Sequence, residues 1–346
     1  AAGVAAADGS RRNPWALGAG RRPRLTLAWR DGANPVYDGR MERIPYLGQT
    51  LYRWQVGSSS FLALPEKGAR LMNWNVTLGD GSIRDLIHWP EVSSLDNFHK
   101  IRGGNPILFP FCGRTFDRGE INHWRAEDGA RRPMPMHGLA RQGAFRVTRL
   151  DEGGFSAQFQ PDAAAREAYP FDYEFVVSYR FESLGLFAEF ELTNRGTAPM
   201  PWSAGHHFYF TVPWTAGLTR ADYVIEVPAA KILKHLDTGR LVDGPRLNPR
   251  ELLSNPNLVD TVFTGLRGHQ FALTERPSGQ QLRFLTGFTN TASRDAAVVT
   301  WTENEKSPFY CIEPWMGPPN SPENKTGLHL VGPGQTQKFF VEVTLR

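Results

Sequence analysis

Three ionisable side chains stand in segments of this sequence that are otherwise apolar or aromatic. His137 lies in "MPMHGLARQGAF", His207 follows His206 in "WSAGHHFYF", and Glu313 lies in "FYCIEPWMGPPNSPEN". Because a charge is costly to bury in such surroundings, each group needs a hydrogen-bonding partner, a ligand or access to water. An imidazole and a carboxylate in one pocket can deliver one proton while removing another, which is general acid–base chemistry.

Strand alternation places the adjacent residues His206 and His207 on opposite faces. In a strand, successive side chains point to opposite faces, so His207 and Tyr209 share one face while His206 lies on the other with Phe208 and Phe210. One imidazole can therefore face a pocket while its neighbour packs in the core. The alternative is that both histidines are structural.

Glu313 and His137 also carry alternative interpretations. Burial raises the basicity of a carboxylate, which would prepare Glu313 to act as a general base. Glu313 could instead cap backbone amides in the loop "WMGPPNSPEN", and His137 could be a hydrogen-bonded core residue. The residues alone leave both alternatives open.

Three arginines and one further acidic residue are also candidate site residues. Arg102 and Arg114 bracket the predicted strand in "KIRGGNPILFPFCGR", where Gly103–Gly104 permits close backbone approach, and Arg141 follows His137. Guanidinium groups suit hydroxyls, carboxylates and phosphate, but solvated surface arginines are the alternative. Asp260, in "NPNLVDTVFTGL", begins a short apolar strand and is either a ligand-binding or a turn-capping residue.

The chain has two cysteines, Cys112 and Cys311, which excludes a disulfide framework and leaves a single bridge open. Two cysteines are consistent with a reducing compartment, so we expect a cytoplasmic protein, although a removed signal peptide would leave the same sequence. Neither cysteine has a Cys or His close to it in the sequence, so no metal site is predicted.

Composition excludes several classes of protein. The 346 residues are 40% hydrophobic and 21% charged with a net charge of +4, as in a soluble globular protein. Arginines are scattered among acids, so nucleic acid is not expected as a partner. No apolar run approaches the roughly 18 residues of a membrane span, so no membrane partner is expected. The oligomeric state is not determined by the sequence.

Period-two alternation dominates the chain after about residue 40. "YEFVVSYRFES" and "LFAEFELTN" predict a hairpin, and no segment of 12 residues carries an apolar helical stripe. Further strands are predicted at "LYRWQV", "SFLALP", "RLMNWNVTL", "FRVTRL", "FSAQFQ", "DYVIEVP", "QLRFLTG", "AVVTWTE" and "KFFVEVTLR". We predict an all-β fold, a large antiparallel β-sandwich forming one domain over residues 36–346, after a poorly ordered arm of residues 1–35.

The order of these motifs resembles the aldose 1-epimerase (mutarotase) family, taken broadly to include hexose-6-phosphate mutarotases. The resemblance covers roughly residues 45–346 and rests on the ordered set "GGNPILFPFCGR", "MHGLAR", "MPWSAGHHFYF", "NLVDTVFTGL", "CIEPWMGPPN" and "GLHLVGPGQT". It implies a β supersandwich fold, which agrees with the alternation described above.

The resemblance also implies roles. His207 would be the acid that protonates the ring oxygen of a hexose, and Glu313 the base that takes the proton from the C1 hydroxyl. His137 would hydrogen-bond near the ring oxygen, Asp260 would bind hydroxyls, and Arg114 would hold the anomeric end. No cofactor or metal is implied. We expect His207 and Glu313 to face each other across a cavity wide enough for one pyranose.

The identity of the sugar stays open at this level. Arg102 and Arg141 resemble arginines that receive phosphate in the hexose-6-phosphate branch, whereas Arg114 and the "NPNLVDTVFTGL" segment are closer to the free-aldose branch, which we favour slightly. The remaining alternatives are a non-catalytic carbohydrate-binding protein on the same fold and a polysaccharide lyase or hydrolase. A glycoside hydrolase would need two carboxylates flanking the bond, whereas the sequence shows only one carboxylate with a histidine partner.

Overall fold

The computed structural model describes residues 39–289 and 295–346, and strands make up most of them. In chain order the first strands are β1 (Gly39–Tyr46), β2 (Gln49–Val56), β3 (Ser59–Leu64), β4 (Arg70–Thr77), β5 (Ile83–Ile87), β6 (Ile107–Leu108), β7 (Phe116–Asp117), β8 (Glu120–Ile121), β9 (His123–Arg125) and β10 (Arg131–Pro133). They are followed by β11 (Ala144–Asp151), β12 (Gly154–Gln160), β13 (Tyr173–Glu182), β14 (Gly185–Asn194), β15 (Met200–Trp202), β16 (Gly205–His206), β17 (Phe208–Thr211), β18 (Tyr223–Glu226) and β19 (Ala229–His235). The last are β20 (Leu241–Asp243), β21 (Arg250–Leu252), β22 (Thr261–Leu266), β23 (Gln270–Glu275), β24 (Gln281–Thr289), β25 (Ala297–Trp301), β26 (Phe309–Trp315), β27 (His329–Val331) and β28 (Thr336–Leu345).

Helices are few and short, as the sequence predicts. The described residues contain the α-helices α1 (Ala163–Ala168) and α2 (Ser321–Asn324), with 3₁₀ turns at Phe98–Lys100, Ala140–Gln142, Arg220–Asp222 and Pro256–Leu258. Over the described ranges, none of these helices has the length and apolar character needed to cross a bilayer. The predicted arm of residues 1–35 lies outside the described residues, so the predicted domain limits stay a prediction.

Two large antiparallel sheets form the molecule, which confirms the predicted β-sandwich class. One sheet has 13 strands, in the order β1-β2-β3-β4-β5-β17-β26-β25-β22-β19-β20, with β16 and β6 attached beside β26. The other has nine strands, in the order β11-β12-β13-β14-β28-β24-β23-β18-β21. The main hydrophobic core contains side chains from both sheets, such as Trp74 and Phe210 of the first and Phe190 and Val341 of the second.

The predicted hairpin shows how alternation builds this core. Glu182 pairs with Gly185 across a two-residue turn, so β13 and β14 are the two arms of the hairpin. Phe175, Val177, Tyr179 and Phe181 are fully buried, while the alternate residues between them are partly exposed. Burial of each such side chain contributes roughly 1.5–3 kcal/mol. The nine other predicted strands also coincide with strands of the structure.

The segment "KIRGGNPILFPFCGR" differs from its prediction. Only Ile107–Leu108 of this segment forms a strand, and the rest is an irregular buried loop. Pro106 and Pro110 interrupt it because proline cannot donate to a strand ladder. The loop instead bonds to the strands beside it, which brings its arginines towards β17.

Candidate active site

His207 lies in a one-residue break between β16 and β17, near the middle of the 13-stranded sheet. Its backbone N–H donates to Oδ1 of Asn105 at 2.9 Å, and its ring stacks on Tyr209 with 4.8 Å between centroids. His206 points the other way, is fully buried and stacks on Phe190 at 4.1 Å. The predicted division of the two histidines, one structural and one facing the site, agrees with this arrangement.

Glu313 lies on β26, the strand that pairs with β17, and its side chain is only 2% exposed. Its Oε2 is 3.4 Å from Nε2 of His207, whose side chain is 9% exposed. The two groups therefore lie side by side on neighbouring strands. The expectation that they face each other across a pyranose-wide cavity is wrong, because strand neighbours on one face of a sheet are in contact distance.

Burial determines the electrostatics of this pair. It lowers the pKa of His207 to about 3, with Arg141 adding to the effect. Burial also raises the pKa of Glu313 well above its usual value, and Asp260 adds to this rise while Trp315 opposes it. Each group on its own thus favours its neutral form. Near neutral pH the two groups together hold one proton. A second proton would leave a buried cation, and the loss of the single proton would leave a buried anion.

His137 lies in the loop between β10 and the turn at Ala140–Gln142, with a left-handed backbone (φ 67°). Its backbone N–H donates to the carbonyl of Gly113 at 2.7 Å, and its Nδ1 accepts from the N–H of Gly113 at 3.2 Å. Burial, followed by His207, lowers its pKa well below the usual value, so the ring is neutral. With Nδ1 accepting, the proton lies on Nε2. The ring stands edge-on to His207, 5.3 Å between centroids.

The loop that carries Arg102 is fixed by buried polar contacts. Arg70 is fully buried and donates to the carbonyls of Gly103 and Ile101, each at 2.9 Å. Gly104 (φ 71°) accepts from the N–H of Tyr209 at 2.9 Å. A Cβ on Gly104 would come within 2.2 Å of the Leu71 carbonyl, so the predicted need for close approach is confirmed there.

The three predicted arginines lie around the histidines but differ in their partners. Arg102 stacks over Trp301 at 5.0 Å and lies 3.5 Å from Glu303, and Arg114 forms a loose 3.6 Å ion pair with Asp237. Arg141 is half-buried, and within the described ranges it has no ion pair. Its pKa is lowered by burial and by Arg102. All three arginines lower the pKa of His137, so all three lie near this ring.

Asp260 stands at the border of the same neighbourhood. Its backbone is left-handed (φ 52°), and its carboxylate is exposed to solvent. The protein around it nevertheless removes enough water to raise its pKa, while Lys234 and Arg114 oppose this rise. Lys234 donates to the carbonyl of Val259 and to the hydroxyl of Thr261, which fixes the turn that carries Asp260.

The structure brings all seven predicted site residues into one neighbourhood, which also contains aromatic side chains. Tyr209 lies under His207, and Trp315 stands edge-on to His137 at 6.0 Å. Trp202 is fully buried and donates to Gln337, so it is a core residue. The sequence analysis missed Trp301, whose ring lies 6.2 Å from that of His207.

Two polar supports of the site were also missed. Asn105 donates to the hydroxyl of Tyr179 at 2.7 Å and its Nδ2 lies 2.9 Å from Nδ1 of His206, in addition to its bond with the His207 backbone. Arg70 fixes the Arg102 loop. No period or motif marks these residues, because their partners are far away in the chain. Cys112 and Cys311 are both buried and free, so the open question of a bridge is answered in the negative.

Comparisons with known proteins identify the family of the chain. The family model described as aldose 1-epimerase matches residues 50–344. The chain is 27% identical over 269 residues to the plasmid-encoded protein LacX of Lactococcus lactis subsp. lactis, which covers 70% of this chain and 85% of that protein.

Solved structures with a similar fold include two proteins at low identity. A galactose mutarotase-like protein from Clostridium acetobutylicum has a TM-score of 0.73 at 18% identity, covering 89% of this chain and 98% of that one. A galactose mutarotase related enzyme from Lactobacillus acidophilus has a TM-score of 0.69 at 21% identity, covering 86% of this chain and 97% of that one. These likenesses confirm the fold.

Proposed function

Because the chain belongs to the aldose 1-epimerase family, we propose that it interconverts the α and β anomers of a hexose by acid–base ring opening. His207 is the acid that protonates the ring oxygen, and Glu313 is the base that removes the proton from the C1 hydroxyl. The reaction needs only two proton transfers and one rotation about C1–C2. We expect each positioned group to contribute about 10²–10⁴-fold to the rate.

The observation that carries the proposal is the 3.4 Å separation of His207 Nε2 and Glu313 Oε2. The ring oxygen and the C1 hydroxyl oxygen of a pyranose are bonded to the same carbon, so they lie close together. An acid and a base that act on both must also be neighbours. Side-by-side placement on paired strands therefore suits this substrate better than placement on opposite walls.

One proton on the pair suffices for the whole cycle. The reactive form is imidazolium with carboxylate, which has no net charge and the same proton count as imidazole with carboxylic acid. Ring opening converts the first form into the second, because the imidazolium gives its proton to the ring oxygen and the carboxylate gains the hydroxyl proton. After rotation about C1–C2, the reverse transfers close the other anomer and restore the first form.

The remaining predicted residues bind and orient the sugar in this proposal. His137 presents its Nε2–H to an oxygen next to the acid, which its Nδ1 contact with Gly113 supports. Asp260 and Arg114 lie at the exposed border, from which Asp260 binds sugar hydroxyls and Arg114 holds the anomeric end. Tyr209 supports the His207 ring from behind.

Polarimetry tests the proposal directly. Freshly dissolved α-D-glucose and α-D-galactose should lose optical rotation faster with the protein than in buffer alone. His207→Asn should remove most of this acceleration, by about 10²-fold or more. A protein that binds these sugars and the phosphorylated sugar without accelerating any anomerisation would be a binding protein, and the proposal would be wrong.

A second candidate is a hexose-6-phosphate 1-epimerase, and one observation favours it. Arg141 is half-buried with no carboxylate partner in the described ranges, and Arg102 lies close enough to lower its pKa. Arg70 adds a fully buried charge that donates to carbonyl oxygens and packs on aromatic rings but has no ion pair among the described residues. Such an excess of positive charge is suited to an anion, and two guanidinium forks bind phosphate well.

The two candidates differ in the variant Arg141→Met. If the substrate carries phosphate, the variant should lower kcat/KM for α-D-glucose 6-phosphate at least 100-fold and change the rate with free glucose less than threefold. The loss of two good hydrogen bonds to a charged group accounts for the 100-fold decrease. Arg114→Met is the comparison, because Arg114 is proposed to hold the anomeric end, which both sugars share, so its loss should lower kcat/KM for both sugars alike. Equal losses on both sugars in Arg141→Met would contradict the phosphate assignment.

A further inference from the structure

A buried thiol stands beside the His207–Glu313 pair. Cys311 lies two residues before Glu313 on β26, so both side chains share one face of the strand, and Cys311 pairs in register with Tyr209. Each of three buried residues, His207, Cys311 and Glu313, offers one possible ligand atom. These three atoms lie within 4.8 Å of one another. The proton-transfer reaction proposed above makes no use of this thiol.

The three groups also have unused bonding capacity. Oε2 of Glu313 is buried and has no hydrogen-bond partner, and Nε2 of His207 faces it at 3.4 Å. Cys311 is a free thiol. A buried acceptor without a donor costs about 1–3 kcal/mol, so a ligand that engages it gains this amount on binding.

We propose that His207, Cys311 and Glu313 form an inhibitory binding site for a divalent cation of the zinc type. Thiolate, imidazole and carboxylate are the ligands that Zn²⁺ takes, and three protein ligands with an open fourth position are a common arrangement. Bond lengths of about 2.0–2.3 Å place tetrahedral ligand atoms roughly 3.3–3.8 Å apart. The His207–Glu313 distance of 3.4 Å already fits, and the thiol has to approach by about 1 Å.

Charge and ligand softness define which cation the site takes. Binding releases two protons to solvent, one from the Cys311 thiol, whose pKa is raised by burial, and the one held by the His207–Glu313 pair. The resulting thiolate and carboxylate together neutralise a divalent ion, so the occupied site is uncharged and tolerates burial. Arg102 and Arg141 lie near enough to disfavour any cation that is held only by electrostatic attraction. Hard ions such as Mg²⁺ prefer oxygen ligands and do not gain from the thiolate, so they should not bind.

Occupancy would block the proposed reaction, because the cation takes the imidazole nitrogen and the carboxylate oxygen that transfer protons. The inhibition rests on the proposed function, whereas the binding does not. The sequence analysis excluded a metal site because neither cysteine has a histidine close by in the chain. The pairing of β17 with β26 supplies that histidine from a distant segment.

Cobalt(II) is the probe for binding, because a Co²⁺–thiolate bond gives a charge-transfer absorption in the near ultraviolet. The full chain without an affinity tag should develop this band on titration with Co²⁺, and Zn²⁺ should displace it. The chain has only two cysteines, so Cys311→Ser should abolish the band while the matched control Cys112→Ser keeps it. No band in the wild type, or a band that survives in Cys311→Ser, would overturn the proposal.

Inhibition is measured separately by polarimetry, with each protein compared with its own metal-free rate. Zn²⁺ should inhibit the wild type and Cys112→Ser, EDTA should reverse this, and Cys311→Ser should need at least tenfold more Zn²⁺. Thermal melting establishes that each variant is folded, and Cys311→Ala replaces Cys311→Ser if the latter is not. Equal inhibition of a folded Cys311 variant contradicts an inhibitory site. If no protein is active, the proposed function fails, while the cobalt titration still decides the metal site.

Discussion

Glu313→Gln is the substitution that separates a catalytic from a structural role for the buried carboxylate. Glutamine has nearly the same shape but cannot take a proton, and Asp260, the other predicted acid of the site, is solvent-exposed and is not an alternative partner of His207. We expect the rate to fall about 10²–10⁴-fold, which is about 2.7–5.4 kcal/mol in the barrier. Stability should change by less than about 1 kcal/mol, because Oε2 has no hydrogen-bond partner to lose.

Glu275→Gln is the matched control, because Glu275 is equally buried but fully bonded. It is 1% exposed and accepts from the hydroxyls of Tyr223 at 2.6 Å and Ser278 at 2.7 Å. Losing one acceptor should lower the free energy of unfolding by about 1–3 kcal/mol and leave the rate unchanged. Polarimetry and urea unfolding measure both quantities. A Glu313→Gln protein that keeps more than a tenth of the wild-type acceleration would refute the assignment of the base.

Three further predictions concern protons and positioning. The rate should be flat from about pH 5 to about pH 8, without a step near the usual histidine pKa, because burial lowers the pKa of His207 to about 3 and raises that of Glu313; a step near pH 6.5 in the rate would contradict the shared proton. Unfolding below pH 6.5 should take up at least two protons, because His137 and His206 are neutral in the fold and burial also lowers the pKa of His88, His235 and His329, whereas the His207–Glu313 pair holds one proton in both states. Stability is then fully present above that pH and falls on acidification, with His137 and His206 alone accounting for about 2.7 kcal/mol per pH unit; urea midpoints at pH 7 and 5.5 that coincide would exclude it. Asn105→Ala should lower kcat at least tenfold with little change in KM, since it frees the His207 backbone; a change confined to KM would assign Asn105 to substrate binding.

Much of the fold follows from alternation alone. Phe175, Val177 and Phe181 recur with period two, which is the physical repeat of a strand, and the sequence therefore predicts both the strand and its buried face. The order of strands in the two sheets does not follow, because β5 next to β17 or β14 next to β28 joins segments that are far apart in the chain. Pairing of that kind depends on tertiary packing, which no local pattern records.

The candidate site likewise contains residues that the sequence reveals and residues that it does not. His137, His207 and Glu313 are detectable because charge in an apolar segment is costly and therefore conspicuous. Asn105 and Arg70 are not detectable, since an amide or guanidinium in a loop looks like an ordinary surface residue until its partners are known. The distance between acid and base was predicted wrongly, because register between strands, which places Glu313 beside His207, cannot be read from either strand alone.

The two groups proposed to move protons lie on paired central strands or beside them, whereas Arg102, Arg114 and Arg141 come from loops and turns at the border. In the proposed reaction, the proton transfers and the preference for a particular sugar therefore depend on separate parts of the chain. Loop changes can alter which hexose is recognised without disturbing the ladder that fixes the reacting pair. An engineer who wants a new substrate should therefore randomise the loops and leave β17 and β26 intact.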